Sequence, residues 1–322
     1  MSAAPDLSVS IVTYNSAACL DRLAQSIAAQ QNISFELFLV DNASQDQTPA
    51  LLSAWPNANI TLNPENIGFG RAHNQNLPNF RSRYLLLLNP DLEFDPHLFA
   101  ALRDFLDANP AVGIAGPTII EGEPAERFTP RKFYPGEGMF PLEPGFTRNE
   151  YAWLSGACLT IRRDLFEALN GFDPNFFLYQ EETDLCLRAR RHGARIGWCS
   201  EATAIHAGRQ SQLRQSPYQQ ARKLFEGTLK FWTKHFPPPQ SLALIQCHRA
   251  AASLLLRLPT TSKRPQLEPD RLRARRDICT EWLSRHNLPH WPTATALGSI
   301  LSRQAALFWA SLRTGHFPLD DY

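Results

Sequence analysis

Polar clusters at the ends of apolar runs carry the chemistry available to this chain. Thr13-Tyr14-Asn15 follows Leu7 to Val12, Asp41-Asn42-Ala43-Ser44 follows Phe35 to Val40, and Asn89-Pro90-Asp91 follows Tyr84 to Leu88. Open α/β sheets bind ligands just outside the carboxyl ends of their strands, so an acid at such an end is well placed to meet one. A carboxylate such as Asp41 can accept hydrogen bonds from a nucleobase or a ribose hydroxyl, and the same Asp41-Asn42 pair can also serve only to cap a turn. Asn66-Ile67-Gly68-Phe69-Gly70 is a glycine loop that lets the backbone approach a ligand before a helix begins, or else a tight turn. It lacks the G-x-G-x-x-G spacing of dinucleotide folds, so nothing favours NAD. Downstream, Glu181-Glu182-Thr183-Asp184 opens a helical stretch, and His206 follows a further apolar run.

These groups need a scaffold, and the hydrophobic pattern supplies one. Leu7–Val12, Phe35–Val40, Ala58–Leu62, Tyr84–Leu88, Val112–Ala115 and Ile196–Cys199 read as strands. Between them, Cys19–Gln30, Asp46–Leu52 (with Asp46 as N-cap), Gly70–Leu77 and Pro96–Ala108 read as helices. Short connections between alternating strands and helices predict a mostly parallel sheet covered on both faces. The pattern breaks over Glu121–Asn149, where five prolines and four glycines predict a long ordered loop. Regular structure returns at Tyr151–Arg162, and a helix follows Arg163-Asp164. The acidic helix should end at Arg191-His192-Gly193, with Gly193 in the position after the cap. Phe236-Pro237-Pro238-Pro239 marks a boundary, giving a catalytic domain over 1–236 and an α-helical extension over 237–322. Helices are expected there at Leu242–Arg257, Asp270–His286 and Ala294–Leu312.

Composition narrows the class. The 322 residues are 43% hydrophobic with a net charge of +1, so no global field argues for nucleic acid. Residues 241–322 hold 11 Lys/Arg against 6 Asp/Glu, which reads as a solvated helical face or as an anchor on an anionic surface. Six scattered cysteines with no C-x-x-C pair argue against a zinc site and fit reduced thiols in a cytosolic protein. No signal-peptide pattern opens the chain, and no run has the roughly 20 apolar residues of a membrane span.

In this order, Ser10-Ile11-Val12-Thr13-Tyr14-Asn15, Val40-Asp41-Asn42-Ala43-Ser44-Gln45-Asp46, Asn66–Asn74, Leu88-Asn89-Pro90-Asp91, Gly171-Phe172-Asp173, Glu181–Arg188 and His206-Ala207-Gly208 resemble a family 2 inverting glycosyltransferase. The resemblance spans residues 8–235 and is nearest to the rhamnosyltransferase-like enzymes of bacterial cell-surface polysaccharide assembly. It implies the GT-A fold, a Rossmann-like mostly parallel sheet with helices on both faces, here with a C-terminal helical extension. It also implies a nucleotide diphosphate sugar donor, dTDP-L-rhamnose in that subgroup, and a glycan or lipid-linked acceptor at the inner face of the membrane.

By resemblance, Thr13, Asn15 and Asp41 line the nucleotide pocket, with Asn66, Gly68 and Gly70 beside nucleotide and sugar. Asn89-Pro90-Asp91 takes the place of the family's D-x-D, so Asp91 and the downstream His206 are the expected ligands of Mg²⁺ or Mn²⁺. Asn89 departs from that pattern and leaves one carboxylate fewer. Glu182 matches the second acid of the family's E-D-x-D, the general base, while Glu181 stays an alternative because glutamate reaches one methylene further than aspartate. A helix N-terminus should lower the pKa of that carboxylate. Asp184 is expected to hold Arg188, four residues on, or to orient the loop. Trp153 falls where the family contacts sugar or acceptor, and is equally a core tryptophan. Two other readings fit parts of the pattern. One is a nucleotidyltransferase, which would want a Gly-rich basic loop after the first strand. The other is a non-catalytic sugar-nucleotide-binding protein, which the presence of Asn89 and Glu182 would suit.

Overall fold

The apolar runs form the strands of one mixed sheet, and the amphipathic stretches between them form helices. A computed structural model describes residues 4–121, 126–142, 150–206, 216–257 and 268–289. The chain divides into two compact units, Met1–Lys132 with Arg148–Arg214, and Phe133–Thr147 with Gln215–Tyr322.

In the first unit the elements run β1 (Leu7–Thr13), α1 (Leu20–Ala28), β2 (Phe35–Asp41), α2 (Thr48–Leu52), β3 (Ala58–Leu62), α3 (Phe69–Asn74), β4 (Tyr84–Leu88), β5 (Leu92–Phe94), α4 (Leu98–Ala108), β6 (Val112–Glu121), β7 (Glu126–Phe128), β8 (Cys158–Arg162), α5 (Arg163–Ala168), α6 (Glu181–Arg191) and β9 (Arg195–His206). The strand order is β3-β2-β1-β4-β8-β6-β9-β5, with β7 paired to β6. Strands β3, β2, β1 and β4 are parallel, as is the β6–β9 pair; β8 runs antiparallel to both neighbours, and β5 antiparallel to β9. This is the α/β sheet expected from the sequence, with antiparallel members added in its second half. The β6–β9 ladder shifts register at Val112/Ile114 and Pro117/Thr118; such irregularities bend a strand and increase its twist.

The core explains why these segments are strands. Leu85, Leu86, Leu87 and Leu88 of β4 are fully buried, as a strand covered on both faces requires. Each such side chain contributes about 1.5–3 kcal/mol relative to an exposed one. On α1, Leu20, Leu23 and Ile27 bury one face. At α2 the N-cap residue is Gln47, one later than expected. The Asp46 carboxylate still accepts from the Thr48 amide at 3.0 Å and from its hydroxyl at 2.5 Å, so it satisfies one of the open amides of that helix end.

The second unit contains α7 (Pro217–His235), α8 (Pro238–Leu255) and α9 (Pro269–Arg285). The boundary expected at 236/237 falls between α7 and α8, inside this unit. Phe225, Leu229, Phe231 and Trp232 of α7 are buried, and the Trp232 indole donates to the Pro135 carbonyl at 3.1 Å. Most of the basic residues on α9 have partners: Arg273 with Asp270, Arg276 with Asp277, and Arg275 over the Phe225 ring. Among the described residues no helix is long and apolar enough to cross a membrane. The expected helix at 294–312, with Phe308 and Trp309, lies outside the described residues, as do Ala207 and Gly208.

Candidate active site

The first cluster forms where β1 and β2 end side by side. Thr13 and Asp41 are register partners, and both are buried. Asp41 Oδ1 accepts from the Thr13 hydroxyl at 2.9 Å and the Ser44 hydroxyl at 2.5 Å, while Oδ2 accepts from the Ser44 amide at 2.9 Å. A carboxylate offers about four acceptor positions, so one remains for a ligand. Asn15 adopts a left-handed backbone (φ 52); its amide donates to Ser44 Oγ at 2.8 Å, and its side-chain oxygen accepts from the Gln45 amide at 2.8 Å. Ser44 thus ties both strand ends, a role outside the expected set, although its place three residues after an Asp is an Asx-turn signal.

The glycine loop is joined to this cluster and to the segment preceding α6. Asn42 Nδ2 donates to the Gly68 carbonyl at 3.1 Å, and Asn66 Oδ1 accepts from the Gly68 amide at 3.0 Å. Gly68 sits at φ +93, where a Cβ would stand 2.5 Å from the Phe177 carbonyl oxygen, so only glycine fits. Phe69 N donates to that carbonyl at 2.9 Å. Arg71 donates to the Pro174 carbonyl at 2.6 Å, and the Asn74 amide pairs with both backbone groups of Phe172 at 2.7 and 2.9 Å. Gly70, too, lies against the Phe172 side chain. Asn74 belongs to the motif yet was outside the predicted site, because its partner lies 98 residues away.

A second cluster forms at the far edge of the sheet. His206 ends β9 and is the register partner of Leu92 on β5 and of Glu121 on β6. Asp91 immediately precedes β5 and is 9% exposed. His206 Nε2 lies 2.9 Å from Asp91 Oδ1, and Nδ1 lies 2.9 Å from Glu121 Oε1. Burial acts to lower the His206 pKa, but the hydrogen bonds to Asp91 and Glu121 outweigh it and raise it to about 9.

The fit to a divalent cation follows from this geometry. Among the described residues no three His, Cys, Asp or Glu side chains are placed to hold one ion together. A carboxylate oxygen and an imidazole nitrogen nevertheless face each other, and the opposite ring nitrogen rests on a carboxylate, the usual support of a ligating histidine. That donor set suits a cation that completes its shell with phosphate oxygens and water. Asn89 is half-buried, and its amide donates to the Ala157 carbonyl at 2.8 Å.

The acidic helix supplies the third group. Tyr179 and Gln180 both have left-handed backbones (φ 68 and 70) just before α6, strain of order 1–3 kcal/mol each that the surrounding packing sustains. Glu181 is 4% exposed and its Oε2 makes no hydrogen bond; burial, then Glu182, push its pKa well up. Glu182 is partly exposed, and burial raises it to about 7. The expected lowering by the helix N-terminus is overturned. The amides of Glu182, Thr183 and Gln180 do act in that direction, but desolvation is larger. Asp184 has no exposure and holds Arg188 Nε at 2.7 Å. Arg188 in turn donates to the Leu169 and Gly171 carbonyls at 3.0 and 2.9 Å.

The Glu182 side chain packs against Gly156, where an added Cβ would meet it at 3.4 Å. The dipeptide Gly156-Ala157 therefore touches Glu182 on one side and Asn89 on the other, linking the acidic helix to the Asn89-Pro90-Asp91 turn. Trp153 is 6% exposed, packs on Phe128 with ring centroids 5.9 Å apart, and bridges Arg131 through the backbone.

The fold and the strand-end site define an α/β scaffold whose polar groups gather at the carboxyl ends of its strands. The mannosyltransferase PcManGT from Pyrobaculum calidifontis, solved with GDP-Man and Mn²⁺, shares this GT-A fold with a TM-score of 0.53. It is 18% identical, and the match covers 97% of this chain and 80% of that one. Residues 8–169 match the family described as Glycosyl transferase family 2, to which the chain belongs. Among curated proteins, the N-acetylglucosaminyl-diphospho-decaprenol L-rhamnosyltransferase of Mycobacterium tuberculosis is 28% identical over 232 residues, covering 62% of this chain and 75% of that protein. The low-salt glycan biosynthesis hexosyltransferase Agl10 of Haloferax volcanii is 30% identical over 230 residues, covering 66% and 71%.

Proposed function

We propose that this glycosyltransferase moves L-rhamnose from dTDP-L-rhamnose to a hydroxyl of a lipid-linked glycan, with inversion, in the assembly of a cell-envelope polysaccharide. The observation that carries the chemistry is Glu182. It is a partly exposed carboxyl with a pKa near 7, across Gly156-Ala157 from the strand-end motif. A general base works best with a pKa near the operating pH. Donor and acceptor classes take their support from the relatives' names, one an L-rhamnosyltransferase with a diphospho-decaprenol acceptor.

In this reading the nucleotide lies across the ends of β1 and β2, at Thr13, Asn15 and the remaining acceptor position of Asp41. Backbone around Asn66, Gly68 and Gly70 closes over it. Asn89 stands by the diphosphate, and Asp91 and His206 would hold Mg²⁺ or Mn²⁺. The bound cation would offset the charge that builds on the departing diphosphate. Glu182 takes the proton of the acceptor hydroxyl as its oxygen attacks the anomeric carbon opposite the leaving group, which inverts that centre. Glu181 is buried, and burial with the neighbouring Glu182 pushes its pKa well up, which favours its neutral form beside the base. Asp184 orients the helix through Arg188, and Trp153 backs the acceptor side as a wall. The catalytic unit comprises Met1–Lys132 with Arg148–Arg214, and helices α7, α8 and α9 belong to the extension. A lipid-linked acceptor puts the enzyme at the cytoplasmic face of the membrane, with the aromatic sequence around Phe308 and Trp309 as its peripheral contact.

The deciding experiment is a thermal-shift screen of dTDP-L-rhamnose, UDP-GlcNAc and GDP-mannose with Mn²⁺, since a ligand selective for the folded state raises its stability. It is followed by NMR assignment of the product anomer. Stabilisation by dTDP-L-rhamnose and an anomer opposite to that of the donor support the reading. Preference for another donor removes the rhamnose assignment, and retention of configuration removes the mechanism.

A further inference from the structure

Glu121 lies outside every motif in the chain, yet it completes a row of three side chains: Glu121 on β6, His206 on β9 and Asp91 just before β5. His206 on β9 pairs in register with Glu121 on β6 to one side and with Leu92, next to Asp91, on the other. Neighbours in register project to the same face of a sheet. The imidazole therefore sits between two carboxylates, with Nδ1 at 2.9 Å from Glu121 Oε1 and Nε2 at 2.9 Å from Asp91 Oδ1.

We infer that Glu121 is the positioning residue that makes His206 a metal ligand: its carboxylate holds the Nδ1 proton and turns Nε2 toward Asp91. The inference rests on the metal reading above and deepens it. Both ring nitrogens face carboxylates, which can only accept. A cation on Asp91 would take the place of the Nε2 hydrogen, and the Nδ1 hydrogen kept by Glu121 leaves the lone pair on Nε2. Glu121 does not share the cation itself, because it meets the opposite side of the ring. The side chain of Glu121 is 34% exposed, so its effect comes through this contact rather than through core packing. Without it, the imidazole loses both its tautomer preference and one of its two anchors.

The test is Mn²⁺ binding by the full chain with dTDP present, read by the free-Mn²⁺ EPR signal, together with the ¹⁴N coupling to bound Mn²⁺ in pulsed EPR. The wild type should show the coupling, and His206→Ala should lose it. Glu121→Ala should weaken Mn²⁺ binding about 10- to 100-fold, the usual cost of losing such a supporting carboxylate, and diminish the ¹⁴N signal. Glu121→Gln keeps an oxygen that can accept from Nδ1 and should fall between wild type and alanine. Glu121→Leu, which keeps bulk without an acceptor, should match alanine and replaces it if alanine does not fold. Wild-type affinity and coupling in both Glu121→Ala and Glu121→Leu would overturn the role of Glu121 and leave the metal site standing. Unchanged Mn²⁺ binding in both Asp91→Ala and His206→Ala would instead remove the metal site itself.

Discussion

Replacing Glu182 with glutamine should move activity and stability in opposite directions. The amide keeps the shape of the side chain and its contact with Gly156 but cannot take a proton. Loss of a general base costs about 10²- to 10⁴-fold in turnover, or roughly 3–5 kcal/mol of barrier. Stability follows from linkage. Burial raises the Glu182 pKa from 4.5 to about 7, so the folded state binds this proton more tightly than the unfolded chain. Its stabilising effect is therefore complete below pH 4.5 and is lost as pH rises through 7. The gap corresponds to on the order of 3 kcal/mol at pH 8 and less than about 1 kcal/mol at pH 5. Glu182→Gln escapes this loss, so urea midpoints should show the variant ahead of wild type at pH 8 and nearly level at pH 5. Donor transfer by the wild type should climb with pH up to about 7 and then flatten. A variant that keeps full turnover, or one whose stability difference is the same at both pH values, would refute the assignment. The pattern appearing in Glu181→Gln alone would move the base by one residue.

Asp91→Ala should abolish transfer and metal-dependent binding of nucleoside diphosphate, with a smaller loss for His206→Ala; transfer that survives in EDTA and in Asp91→Ala would exclude a metal role. Arg188→Ala takes the guanidinium away from the buried Asp184 carboxylate, which should destabilise the fold by about 3–5 kcal/mol in chemical denaturation; a loss below about 1 kcal/mol would show that the pair does not hold α6. Asn74→Ala removes both hydrogen bonds to Phe172 and should lower stability by about 1–3 kcal/mol while raising the donor KM; unchanged KM and denaturation midpoint would mean the glycine loop keeps its place without that link. Deleting residues 290–322 should reduce flotation of the protein with anionic vesicles in low salt, and equal flotation of both forms would exclude this segment as a membrane contact.

Strands β2 and β4 are legible in the sequence because each is a nearly unbroken apolar run, and β1 because its Leu7, Val9, Ile11 and Val12 are broken only by small serines. The stop of α6 is legible for a backbone reason, since Gly193 takes φ +91. The Asp184–Arg188 pair follows from helical spacing alone. Strand β5 is three residues long and exists only because β9 lies beside it, so no local pattern announces it. The same holds for Glu121, whose partner is 85 residues downstream. Helix α7 is not legible in the sequence because its capping box, Ser216 with Gln219, stands beside a proline rather than before an apolar run. The raised Glu182 pKa is not legible in the sequence, because a helix end is visible there whereas the desolvation that dominates it comes from packing by distant residues.

The three residues Asn89-Pro90-Asp91 also have a mechanical consequence. They join β4, in the middle of the sheet, to β5 at its last edge, with β8, β6 and β9 hydrogen-bonded in between. In a flat sheet those four steps would span about 19 Å, whereas the four residue steps from Leu88 to Leu92 reach at most about 14 Å. The chain is thus a drawstring: its shortness obliges the sheet to curl until its edge returns under the end of β4. Lengthening the string by a single glycine would let the sheet relax and carry Asp91 away from His206, with every side chain of the motif still present. The motif is a measure of length as well as a set of ligands, and an insertion there should be less tolerated than any conservative substitution.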